Sequence, residues 1–176
     1  MKFILSFSLA LSVISMGWSQ RIHPIIKNHG GIFDIPYADE KADPNLQYNI
    51  VIEVERGSVS PDSLNWALNN VARLINLHAT AGVKKENLNV VLAIHGGAAY
   101  TVMDNEAYHK KYKTSNPNVA LYEELSAAGV TLFVCGQSLI ARKIDRTRML
   151  PNIKVATSML TTVTTHQLRG YSYLRF

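Results

Sequence analysis

Apolar positions recur along this chain with two different periods. "YNIVIEVE" at 48–55 alternates, with Tyr48, Ile50, Ile52 and Val54 on one face and Asn49, Val51, Glu53 and Glu55 on the other. That period of two predicts a strand with one wetter face, half exposed or lying at a subunit contact. "LNVVLAIHGG" at 88–97 instead holds a continuous apolar run from Val90 to Ile94, and "VTLFV" at 130–134 is apolar throughout. Both predict strands covered on both faces. "IKVAT" at 153–157 and "YSYLRF" at 171–176 are shorter strands.

Between these runs the period lengthens to that of a helix. In "SPDSLNWALNNVARLINLHATAG", Leu64, Leu68, Val71 and Ile75 fall three or four apart. Ser60 is read as its N-cap, Pro61 as its first helical residue, Asp62 as first-turn acid and Gly82 as its end. Helices are also predicted over 104–113, over "NPNVALYEELSAAG" with Asn116 as cap and Gly129 as stop, over "QSLIARKID" and over "MLTTVTTHQLRG". Residues 20–47 carry Pro24, Pro36, Pro44 and "NHGG", and read as an extended lead-in without a regular element. Strand and helix alternate from residue 48 onward, which predicts an α/β domain, a parallel sheet with helices on both faces.

Composition changes this picture at three points. Residues 1–19 combine Lys2, an uncharged apolar stretch from Phe3 to Met16, and small residues Gly17 and Ser19. They read as a secretory signal peptide cleaved after Ser19, which places the mature chain in the periplasm or outside the cell. The stretch is shorter than the roughly 20 residues of a membrane span, so no integral membrane span is expected after cleavage; an uncleaved N-terminal anchor is the alternative. The formal charge is +5, with lysines and arginines dispersed among acids and no arginine-rich run interleaved with aromatics. Nucleic acid is therefore not an expected partner, and the modest positive field suits small anions or simple solubility.

The third point is the single cysteine, Cys135. It cannot form an internal disulfide, so it is an inert core residue, an intermolecular link or a reactive thiol. Its position suits chemistry as well as it suits burial in the core. It ends the strand 130–134 and precedes a helix, and ligands in open parallel sheets bind beyond the carboxyl ends of the strands. A thiol is only about 3% ionised at neutral pH, and a helix N-terminus contributes up to about 2 kcal/mol toward the anion; burial in apolar surroundings opposes it.

His95, Gly96 and Gly97 end the other fully apolar strand in the same manner, so they can lie at the same edge of the sheet. A histidine there can activate a thiol or serve as a structural hydrogen-bonder, and the glycines allow close approach to a ligand or a tight turn. Gly136 and Gln137 open the helix after the cysteine, where their N–H groups can face its sulfur. No metal and no cofactor are expected: His23, His29, His78, His109 and His166 pair neither with one another nor with Cys135 at zinc-ligand spacing.

"IHGG" after one strand, "NPNVALYEELSAAGVTLFVCGQSL" across the next helix and strand, and the closing "ML…HQLRGYSYLRF" resemble the DsrE/DsrF-like proteins, in particular their exported single-domain members. The similarity runs from about Tyr48 to Phe176, with "AGV-x-x-x-VCG" its most specific part; the lead-in "GGIFDIP…ADEKADPNLQY" is similar as well. The resemblance implies a three-layer α/β/α fold with a five-stranded, mainly parallel sheet, and a homo-oligomer, trimer or hexamer. It also implies a sulfur carrier or sulfurtransferase holding sulfane sulfur as a persulfide on Cys135, with a small sulfur-containing anion or a partner thiol protein as its counterpart. The alternative is a non-catalytic oligomeric module binding a small ligand or partner, with Cys135 a structural core residue.

Overall fold

The computed structural model describes residues 20–176; the expected leader over 1–19 lies outside the described residues. The elements are β1 (Tyr48–Val54), α1 (Trp66–Thr80), β2 (Leu88–Ile94), α2 (Asn105–Tyr112), α3 (Val119–Ala127), β3 (Thr131–Cys135), α4 (Gly136–Ala141), β4 (Lys154–Ala156), α5 (Met159–Leu168) and β5 (Ser172–Arg175). The five strands form one sheet in the order β4-β3-β2-β1-β5, every pair parallel.

That order decides the layers. The first three crossovers step in one direction, and right-handed connections place their helices on the same face. Ile50, Ile52, Val54, Leu92, Ile94, Leu132 and Val134 pack there against Leu68, Val71, Ile75, Leu121 and Leu125 of α1 and α3. The last crossover returns from β4 past the whole sheet to β5, so α5 covers the opposite face, where Val163 packs with Val51, Val91 and Ala93. The result is a three-layer α/β/α domain with a five-stranded parallel sheet.

The return of α5 also explains why β1 departs from the expected half-exposed strand. Its wetter face is covered: Val51 is 0% exposed and Glu53 6%. The exposed strand is β5, at the sheet edge, where all four residues are open to solvent.

Two helices start later than their sequence signals. Ser60 closes a turn with Ser63, whose hydroxyl donates to the Ser60 carbonyl at 2.8 Å, and buried Asn65 caps α1 by accepting from Leu68 N–H at 3.1 Å. Asn65 prevails because its amide also donates to the Arg56 carbonyl at 2.8 Å, and its own N–H donates to Asn118 at 2.8 Å. Asn116 likewise precedes α3 rather than capping it: its amide donates to the Thr101 and Met103 carbonyls, each at 2.7 Å, and its Oδ1 accepts from Asn118 N–H at 3.0 Å, which holds Asn118 at the helix start. The helix expected through "QSLIARKID" stops at Ala141, and Lys143 adopts φ 53°.

The lead-in has no helix or strand beyond an isolated bridge between Ile22 and Ile32, but it is docked. Ile26 and Ile32 are 1% and 2% exposed. Asn76 of α1, fully buried, clamps the segment by accepting from Ile25 and Ile26 N–H and donating to the carbonyls of Ile26, His29 and Gly30. Buried backbone polar groups must find such partners when no strand pairs them. Among the described residues, no helix is long and apolar enough to cross a membrane.

Candidate functional site

Cys135 is the last residue of β3 and the N-cap position of α4, is unpaired, and is 5% exposed. Its strand partner is Ala156 of β4, two residues before Ser158, the N-cap of α5. This brings two helix starts to one sulfur. The Ser158 hydroxyl lies 4.0 Å from Sγ, and that hydroxyl accepts from Leu160 N–H at 3.2 Å, which leaves its own proton free to face the sulfur. Burial acts to raise the thiol, but the N–H groups of Met159 and Ser138 and the hydroxyls of Ser138 and Ser158 outweigh it, so the thiol is held below its ordinary value.

The donors that reach the sulfur are therefore those of Ser138, Ser158 and Met159. Gly136 and Gln137, the sequence candidates for this role, open α4 with Gln137 exposed. Gly136 serves packing, because a Cβ there would stand 3.0 Å from the Ala156 carbonyl oxygen.

His95 stands beside Cys135 in the sheet, each one residue beyond the paired Ile94 and Val134. Gly96 N–H donates to the Ser138 hydroxyl at 3.2 Å, which ties the "HGG" turn to the helix that begins at the cysteine. The close approach permitted by the glycines is to the chain itself. Gly96 has φ 55°, and a Cβ on it would stand 2.8 Å from the Glu55 carbonyl oxygen; one on Gly97 would stand 2.9 Å from Gly57 N.

The structure adds a cluster that sequence reading missed. His95 Nε2 lies 2.9 Å from Glu53 Oε1, the Tyr173 hydroxyl donates to Glu53 Oε2, Arg175 Nε lies 3.6 Å from Glu53 Oε1, and Arg175 also pairs with Glu55. Burial acts to raise the Glu53 carboxyl, but the Tyr173 hydroxyl, His95 and Arg175 outweigh it and hold it below the usual carboxylate range. The ligand atoms of Glu53, Glu55 and His95 lie within 4.8 Å of one another, a spacing that would admit a cation. Arg175 already supplies one, bridging both carboxylates. The available signal was Glu53 itself, a carboxylate near the end of a strand and flanked by Val51, Ile52 and Val54.

On the other side of the same strand ends, Gly57, Ser58, Gly97, Tyr100 and Tyr108 line a cleft of about 180 Å³. The buried Ser58 hydroxyl there has no partner among the described residues.

The fold is that of a three-layer α/β/α protein built on a five-stranded parallel sheet, with Cys135 at a strand end. The profile of the DsrE/DsrF-like family matches residues 58–176, and the chain belongs to that family, whose members are associated with sulfur relay. Among solved structures, it is similar to MTH1491 of Methanobacterium thermoautotrophicum, described as a protein of unknown function, at 18% identity and TM-score 0.57 over 73% of this chain and 99% of that one. It is also similar to the ychN protein of E. coli, at 19% identity and TM-score 0.53, again over 73% and 99%. At these identities the likeness is one of fold. Among curated proteins, none matches.

Proposed function

We propose that this protein is an exported sulfur carrier that holds sulfane sulfur on Cys135. The observation that carries the reading is the surroundings of the sulfur. An inert core cysteine lies among apolar atoms that push its thiol up, whereas Cys135, buried as it is, is held below its ordinary value by two N–H groups and two hydroxyls. Membership of a family associated with sulfur relay supports the same reading.

In the loading step, Cys135 thiolate attacks the outer sulfur of a persulfide or polysulfide anion. A new S–S bond forms to Cys135, the donor's S–S bond breaks, and its electron pair leaves on the shortened donor thiolate. In the return step an acceptor thiolate attacks the outer sulfur, and Cys135 departs as thiolate. No external oxidant or reductant is consumed. The 5% exposure of Cys135 favours a small anion over a bulky protein persulfide as donor. The expected leader over residues 1–19 supports an exchange outside the cytoplasm, and the exposed β5 edge supports assembly with further copies of the chain.

Intact-mass spectrometry after incubation with polysulfide, with iodoacetamide trapping, tests the reading. Wild type gains about 32 Da per sulfur, and Cys135→Ser gains nothing; sulfur retained on the variant would overturn the proposal. A second reading, a small-ligand module, is favoured by the tyrosine-lined cleft with its unpartnered Ser58 hydroxyl. It expects Cys135 to resist alkylation until the protein is denatured.

A further inference from the structure

We infer that Glu53 and His95 handle the proton of the Cys135 exchange, with Glu53 as the positioning residue and His95 as the group that gives and takes the proton. The inference rests on the carrier reading of Cys135. Glu53 is 6% exposed and sits on the sheet face covered by α5. A buried carboxylate is costly unless it is paired, and here three separate donors reach it, His95 just beyond β2 and Tyr173 and Arg175 of β5.

Its ionised form decides the tautomer of His95. An ionised carboxylate can only accept, so the nitrogen 2.9 Å from Glu53 Oε1, Nε2, must carry a proton. The nitrogen that exchanges its proton is then Nδ1, since the ring's hydrogen bond among the described residues is made by Nε2. The same logic by which a carboxylate fixes an imidazole in other nucleophile–histidine pairs applies here. Glu53 and Glu55 from the β1 end face this ring, with Tyr173 and Arg175 of β5 reaching it through Glu53; Cys135 lies at the same level of the sheet at the end of the neighbouring β3, and Ser138 of α4 holds the adjacent Gly96 N–H.

The proton balance closes over one cycle. When the donor's S–S bond breaks, protonated His95 gives its Nδ1 proton to the departing thiolate and becomes neutral, with Nε2–H still held by Glu53. The acceptor thiol then returns a proton to Nδ1 and attacks the Cys135 persulfide as thiolate. Glu53 stays ionised throughout.

The test measures two rates from pH 5.5 to 9, polysulfide loading by quenched mass spectrometry and iodoacetamide alkylation of Cys135, in wild type, Glu53→Gln, Glu53→Asp, His95→Gln and the Glu53→Gln/His95→Gln pair. Glu53→Gln is expected to slow loading about tenfold or more near neutral pH and to change the shape of its pH profile, with Glu53→Asp recovering most of the rate. In the His95→Gln background, Glu53→Gln is expected to add nothing further, since it acts only through the ring. A wild-type pH profile in Glu53→Gln, or an undiminished effect in the His95→Gln background, overturns the inference. Absence of loading in wild type sinks the carrier reading instead; the alkylation profiles then decide the pair, which is overturned if Glu53→Gln leaves them unchanged.

Discussion

At Cys135, two opposing effects meet on one atom, and their sum is set by four donors within reach of the sulfur. Ser158 is the donor that can be removed with a control. Ser158→Ala deletes the hydroxyl 4.0 Å from Sγ and also the α5 N-cap, at about 1 kcal/mol. Ser158→Asp keeps the cap but sets a negative charge beside the sulfur. Because the folded thiol is held low, losing a donor moves its titration upward and lowers the thiolate fraction at neutral pH. Alkylation of Cys135 followed against pH should show the midpoint raised in Ser158→Ala and raised further in Ser158→Asp, with neutral-pH rates down about threefold to tenfold, the size of one long hydrogen bond to a charged acceptor. Ser158 and Met159 were illegible as partners of Cys135 because they lie more than 20 residues away, and only the β3–β4 register brings them there. Glu53 and Tyr173, 120 residues apart, met in the same way through the pairing of β1 with β5.

At the scale of elements, apolar periods and turn residues named the five strands and five α-helices of the described residues but not the 3₁₀ helix over Gly96–Val102, while the starts of α1 and α3 went to asparagines with tertiary partners. Capping propensity is a local preference of about 1 kcal/mol, and a buried asparagine that satisfies several backbone groups outweighs it. Asn76 shows the same economy. Its amide makes five hydrogen bonds to the lead-in, and each buried group left unpaired costs about 1–3 kcal/mol. Asn76→Ala is therefore expected to destabilise the protein by about 3 kcal/mol or more in chemical denaturation. Limited proteolysis should cut first within residues 20–47, and an unchanged digestion pattern would contradict the clamp.

At the scale of the whole molecule, β5 is an exposed edge strand with no second strand partner among the described residues. Leu174 is 37% exposed and Trp66 65%, Phe176 packs edge-on to Trp66 at 6.4 Å, and an unpaired edge strand beside apolar side chains favours association. Light scattering of the purified chain should give a mass of several copies, and Leu174→Lys should lower it without changing the circular dichroism of the fold; a monomeric wild type would refute this. The sequence by itself determined the α/β class, the order of elements and the placing of Cys135 and His95 at strand ends, because periodicity and turn residues act over a few neighbours. Which face α5 covers, why Glu53 is buried, and which donors serve the sulfur were decided only in the tertiary structure. Those outcomes depend on strand order and register, which bring together residues that no local pattern relates.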